Sequence, residues 1–234
     1  MTATTIRAKL KSLGNPERAE MSKRYFKTGP GQYGEGDIFY GNNAAEVRGL
    51  AREYQAMAED QILKLLASPF HEERAVALLI LVRRFAKADP AARRRIYELY
   101  LAHTEFINNW DLVDLSAPHI VGAYLVDKSR KPLYGLVRSP GLWARRIGIL
   151  ATFHFIRQND FKDTFELSKR LLSDKEDLIH KATGWMLREV GKRDETAARR
   201  FLVEHYRKMP RTMLRYAIER FPDAERQSYL KGLI

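Results

Sequence analysis

Four short stretches constrain the architecture more than any other feature of the chain. Arg74-Ala75-Val76-Ala77-Leu78-Leu79, Arg146-Ile147-Gly148-Ile149-Leu150-Ala151, Lys181-Ala182-Thr183-Gly184-Trp185-Met186 and Arg215-Tyr216-Ala217-Ile218-Glu219 each place a basic residue ahead of small and apolar ones. Their starts lie 72, 35 and 34 residues apart, and halving the first gap places a further copy near Trp110. A period of about 35 with two helices per unit predicts an α-solenoid, a curved body whose stacked helix pairs present an extended concave face. A non-repeating helical bundle is the alternative.

The local patterns agree with an all-α chain. Ile6, Leu10 and Leu13 carry helical spacing up to a break at Gly14-Asn15-Pro16, where Asn15 reads as an N-cap with Pro16 in the first helical position and Glu17 in the first turn. Helical patterns then follow at 44–58, 59–67, 72–87, 90–101, 110–126, 131–137, 143–158, 163–172, 177–192, 195–206 and 213–220. No alternating strand pattern intervenes, and the breaks are short and rich in Pro, Gly, Ser or Asp. The glycine-dense segment from Gly29 to Asn43 has no period and reads as a mobile loop. We expect one domain over residues 1–234.

Lys and Arg number 41 against 29 Asp and Glu, giving a formal charge of +12 and a pI near 9.9. Such an excess points to a polyanionic partner, with nucleic acid the first choice and a solvated surface the alternative. Zero cysteines exclude disulfides, thiolate metal sites and thiol catalysis. The six histidines are scattered and form no HExxH pattern, so neither a metal nor another cofactor is expected. No apolar run approaches the length of a bilayer span, and the first residues lack a signal peptide's apolar core. A cytoplasmic protein, nucleoid-associated when bound to DNA, is the expectation.

The residues that carry chemistry fall in three successive units. Trp110 and Asp114 are four apart, so on a helix an indole lies beside a carboxylate. Trp143, Arg145 and Arg146 begin the next unit, and Lys181, Trp185 and Arg188 lie on the third, so all three tryptophans of the chain share the repeat register. Each has a structural alternative: core packing for a tryptophan, the helix dipole for Asp111, and a salt bridge to Arg145 or Arg146 for Asp114.

In these residues the chain resembles the bacterial DNA alkylation repair glycosylases of the AlkD type, built of HEAT-like repeats. The resemblance rests on Trp110-Asp111-Leu112-Val113-Asp114 followed by Pro118 and Gly122, on Leu142-Trp143-Ala144-Arg145-Arg146-Ile147, and on Lys181 through Glu189. Asn15-Pro16-Glu17-Arg18-Ala19 with Arg24-Tyr25 matches at the N-terminus. These stretches span most of the chain in the family's order. The chain departs from the family's look at Asn109, where an aromatic can stand, and at Asn42-Asn43.

The resemblance implies a HEAT-like solenoid with a basic concave face, and a monomeric, monofunctional, metal-free hydrolase. It implies cleavage of the N-glycosidic bond of cationic N3- and N7-alkylated purines in duplex DNA, leaving an abasic site without flipping the base into a pocket. By position, Asp114 is the catalytic carboxylate, Trp110 and Trp185 contact the deoxyribose, Arg146 is the active-site arginine and Tyr25 lies near the DNA. Arg145, Arg146, Lys181 and Arg188 are the expected phosphate contacts. One carboxylate suffices because an alkylated purine is already cationic and leaves as a neutral base, whereas an ordinary glycosidase needs an acid as well. The rival readings are a non-catalytic repeat protein binding distorted or branched DNA, and a protein-binding scaffold.

Overall fold

A computed structural model describes residues 1–234 and contains helices but no strand; its one β feature is an isolated bridge between Ile38 and Phe70. The all-α expectation is borne out. No helix is long and apolar enough to cross a membrane. The chain divides into two compact units, Met1–Ser116 and Ala117–Ile234.

The first unit comprises α1 (Ala3–Leu13), α2 (Pro16–Tyr25), α3 (Ala44–Glu53), α4 (Glu59–Leu66), α5 (His71–Lys87), α6 (Pro90–Ala102), a 3-10 turn at Thr104–Phe106, and α7 (Trp110–Ala117), whose last turn meets the boundary. Capping explains where several begin. Asn15 accepts from the Arg18 N–H at 2.9 Å with Pro16 at the first position, as expected. Asn43 and Glu46 form a reciprocal capping box at the start of α3, so the polar pair after Gly41 is a helix signal.

Helix α5 is the centre of this unit, packed by α1, α3 and α4. Its first turn buries His71, Glu72, Glu73 and Arg74, an arrangement stable only if every charge is partnered. Glu72 accepts backbone N–H groups from Tyr40, Gly41 and Asn42; Glu73 accepts from the Tyr40 hydroxyl and Arg7, both at 2.8 Å. The segment leading into α3 is thus fastened to α5 by carboxylates.

The second unit begins with a π-helical turn, Pro118–Gly122, followed by α8 (Ala123–Leu125), α9 (Lys131–Val137), α10 (Leu142–Ala151), α11 (Phe153–Ile156), α12 (Lys162–Arg170), α13 (Asp177–Gly191), α14 (Glu195–His205), a 3-10 turn at Tyr206–Lys208, α15 (Arg211–Ala217) and α16 (Asp223–Lys231). The pattern at 110–126 reads as one helix, but Pro118 has no N–H for the carbonyl four residues back. The backbone widens there, and the Ala123 N–H donates to the Pro118 carbonyl five residues away. The pattern at 143–158 likewise breaks into α10 and α11 at Thr152. The spacing did not announce α16, which is polar and buries only Tyr229.

The repeat is visible here. Helix α13 packs on α10, α14 and α15, and α10, α13 and α15 are the helices that carry Arg146, Lys181 and Arg215. Gly184 permits the close approach of α13 and α15, because a Cβ there would clash with the Met213 carbonyl oxygen and lie 2.6 Å from Tyr216 Cβ. Beyond it, Leu187, Phe201, Leu202, Met213, Leu214 and Ile218 close the core.

Candidate functional site

In the first unit, Trp110 and Asp114 line one cavity of about 390 Å³. Both are half-buried on α7, with Leu112 and Val113 buried in the core between them. The cavity's other walls come from Phe26, Phe39, Val47, Ala75 and Leu79, with polar edges at Ser22, Asn42 and Arg48. His71, Glu72 and Asp111 also border it, so it is an aromatic and aliphatic hollow with acidic groups along its side, Asp114 among them.

Trp110 is held by rings from the end of α2. Phe26 stacks on it at 5.5 Å between centroids, and Tyr25 meets it edge-on at 5.8 Å. Tyr25 is 65% exposed, so it covers the indole on one side while offering its own edge to solvent. Phe26 in turn stacks on Phe39, and both rings contact the His71 imidazole.

Beneath this aromatic wall lies a buried charge cluster that reading the chain by period did not reveal. His71 Nδ1 lies 3.1 Å from Asp37 Oδ2, and its Nε2 lies 2.8 Å from Asp111 Oδ2. Two carboxylate acceptors on two ring nitrogens require both nitrogens to carry hydrogen, which is the imidazolium. Burial favours the neutral ring, but Asp111 and then Asp37 outweigh it and push the His71 pKa up to about 9. Asp37 also pairs with Arg74 and accepts from the Asn109 amide at 3.0 Å. Burial pushes its carboxyl up; His71, Arg74 and Asn109 together hold it below the usual carboxylate range.

Two expectations change as a result. The glycine-dense loop is a loop, but Asp37 anchors it to α5 and to the start of α7, so it is tied down at that residue rather than loose throughout. Asp111 does sit in the first turn of its helix, yet its carboxylate also grips His71. Asn109, buried completely, serves both ends with one side chain: its Nδ2 donates to Asp37 and its Oδ1 accepts from the Trp110 N–H at 2.8 Å. An Asp within the glycine-dense loop and a His just ahead of the apolar pattern at 72–87 were the signals available in the sequence for this cluster.

The remaining candidates stand in the second unit. Arg146 is buried and donates to the Leu178 carbonyl at 2.7 Å. Arg145 is braced by Asp174 and by the carbonyls of Ser139 and Pro140. Lys181 pairs with Asp177 one turn away at 2.8 Å. The indole N–H of Trp185 donates to Glu189 at 3.0 Å, and its ring tilts against Phe153 at 5.8 Å. Arg188 is paired with Glu219 and lies 3.7 Å from Glu189. Trp185 and Arg188 thus share Glu189, while Arg146 reaches across from α10 to the start of α13.

No curated protein matches the chain. Among solved structures the fold matches a predicted DNA alkylation repair enzyme from Enterococcus faecalis, with a TM-score of 0.68 at 16% identity over 90% of this chain and 97% of that one. At that identity the likeness shows the helical-repeat fold. The model of the family described as DNA alkylation repair enzyme matches residues 6–221, nearly the whole length. The chain belongs to the DNA alkylation repair enzyme family.

Proposed function

We propose that the protein is a monofunctional DNA glycosylase that hydrolyses the N-glycosidic bond of cationic N3- and N7-alkylated purines in duplex DNA. Family membership gives a role in the repair of alkylated DNA. The observation that carries the finer reading is Trp110, clamped by Tyr25 and Phe26 at a cavity whose side is Asp114.

The chemistry needs little more than this. The alkylated purine carries a positive charge and departs neutral, so no group has to protonate it. As the bond breaks, charge moves onto the sugar. A carboxylate held in a partly dry site stabilises that oxocarbenium-like centre and orients a water for attack. Asp114 is the residue for both tasks. An indole face beside the same cation adds about 0.5 to 2 kcal/mol of cation–π attraction, the role assigned to Trp110. The resemblance assigns Trp185 a like role and makes Arg146 the active-site arginine. Tyr25, Arg145, Arg146, Lys181 and Arg188 are the proposed DNA contacts. Arg145, with its fork already occupied by Asp174, contributes charge more than a new bidentate pair. The protein acts as a monomer on double-stranded DNA and needs no metal.

Methylated duplex DNA, incubated with the protein and analysed for released 7-methylguanine and 3-methyladenine, tests the reading. Release well above the spontaneous rate, with abasic sites formed in equal number, is the expected result. Tight binding with no release would identify a non-catalytic DNA-binding repeat protein instead.

A further inference from the structure

A second cavity, about 350 Å³, adjoins the first and is lined by Arg48, Ala51, Arg52, Leu79, Val82 and Arg83. It shares Arg48 and Leu79 with the cavity that holds Trp110 and Asp114. Arg48 and Arg52 are one turn apart on α3, so their side chains rise from one face about 6 Å apart along the axis. Arg83 faces them from α5.

Three arginine side chains thus border one hollow that has no carboxylate among its walls. None of the three makes an ion pair or a hydrogen bond within the protein, and the Nε of Arg83 is buried without an acceptor. Other arginines of this unit are engaged: Arg7 with Glu73, Arg18 with Glu46, Arg74 with Asp37, Arg95 with Glu59, and Arg84 with the Gln55 carbonyl. Like charges converging on a hollow repel, and a buried N–H without an acceptor costs free energy. Both costs are relieved by an anion with several acceptor oxygens and a tetrahedral or forked shape, which arginine matches in pairs of parallel bonds. The floor of Ala51, Leu79 and Val82 supplies no competing acceptor side chain.

We propose that Arg48, Arg52 and Arg83 form a phosphodiester cradle that grips the DNA backbone beside the nucleotide whose sugar faces Asp114. The proposal rests on the DNA reading of the neighbouring cavity. Sugar and phosphate alternate along a strand, and two hollows joined at Arg48 match that alternation. The cradle contributes affinity and register and reads no sequence.

The test measures binding of undamaged duplex DNA by fluorescence anisotropy across a salt series, using wild type, the exposed-pair variant Arg48→Gln/Arg52→Gln, and the triple variant with Arg83→Gln. A control replaces two exposed cations outside the cradle, Lys11→Gln/Lys87→Gln. For every phosphate no longer neutralised, the slope of log affinity against log salt falls by about 0.9. The expected result is a slope smaller by about 1 to 2 in the pair variant and up to about 3 in the triple, with the control within about 0.5 of wild type. The pair variant changes only exposed side chains, so a misfolded triple does not remove the test. Slopes equal to wild type, or a control that falls as far as the cradle variants, overturn the proposal. Thermal protection by inorganic phosphate that depends on the three arginines, together with an unchanged DNA slope, also overturns it, because the hollow then takes free phosphate. Excision is measured separately. Wild-type excision with an unaffected slope sinks the cradle alone, and a cradle-dependent slope without excision sinks the glycosylase reading alone.

Discussion

His71 donates through Nε2 to Oδ2 of Asp111 across 2.8 Å, tying the start of α5 to the first turn of α7. The residue before Asp111 is Trp110, so the indole that walls the cavity is positioned by a buried ion pair next to it in the chain. The pair makes the first unit sensitive to alkali. The imidazolium's pKa, raised to about 9 in the folded protein from an ordinary 6.5, gives stability that is complete below about pH 6.5 and lost as pH rises through 9. The full difference is on the order of 3 kcal/mol. Urea unfolding at pH 6 and pH 9.5 is expected to show this loss, and His71→Gln to be weaker at pH 6 and flatter with pH. A variant as steep as wild type would remove His71 as the cause. Asp37 acts in the opposite direction: its depressed carboxyl loses its contribution as pH falls below the usual carboxylate range.

Asp114→Asn keeps the size of the side chain and removes its charge. Excision of 7-methylguanine is expected to fall at least about 100-fold, on the scale seen when one electrostatic stabiliser of a transition state is lost. Affinity for undamaged duplex is expected to stay within about threefold. Excision near the wild-type rate would make Asp114 a structural residue.

Tyr25 meets Trp110 edge-on, and this packing needs the ring more than the hydroxyl. Tyr25→Phe is therefore expected to retain DNA affinity and rate, while Tyr25→Ala uncovers one side of the indole and forfeits about 0.5 to 1.5 kcal/mol of ring–ring attraction. Tryptophan fluorescence and duplex binding measured on the same samples check this. Equal behaviour of the two variants would mean that the hydroxyl, or neither group, carries the role.

Gly184→Ala tests the repeat packing independently of function. A Cβ there runs into the Met213 backbone, which cannot swing aside as a side chain would. A destabilisation of about 1 to 3 kcal/mol is expected, read as a lower Tm in calorimetry. An unchanged Tm would show that α13 and α15 separate without cost.

The fold was legible because burial on helices is periodic and caps are local. Asn15-Pro16-Glu17 announces α2, and the 131–137 pattern coincides with Lys131–Val137. Pro118 and Thr152 interrupt continuous apolar patterns, since backbone hydrogen bonding is indifferent to the spacing of apolar side chains. The site was legible where its residues lie close in sequence, as Trp110 and Asp114 do. It was not legible where charges meet through the fold: Asp37, His71, Arg74 and Asn109 are spread over more than seventy positions, and no period links them. The arginine hollow was missed for the same reason, as Arg83 reaches Arg48 and Arg52 only when α3 lies on α5.

The tether at Asp37 makes the glycine-dense segment an internal counter-ion on a strap. Glycines give such a segment much chain entropy to lose, and its Asp37 carboxylate, together with Asp111, offsets the buried charges of His71 and Arg74. Phe39, two residues after that carboxylate, is held by the same tether at the cavity wall. The aromatic surface beside Trp110 is thus coupled through the chain to a buried charge cluster. Exposure of the segment to a protease should therefore rise when pH leaves the range in which both Asp37 and His71 are ionised.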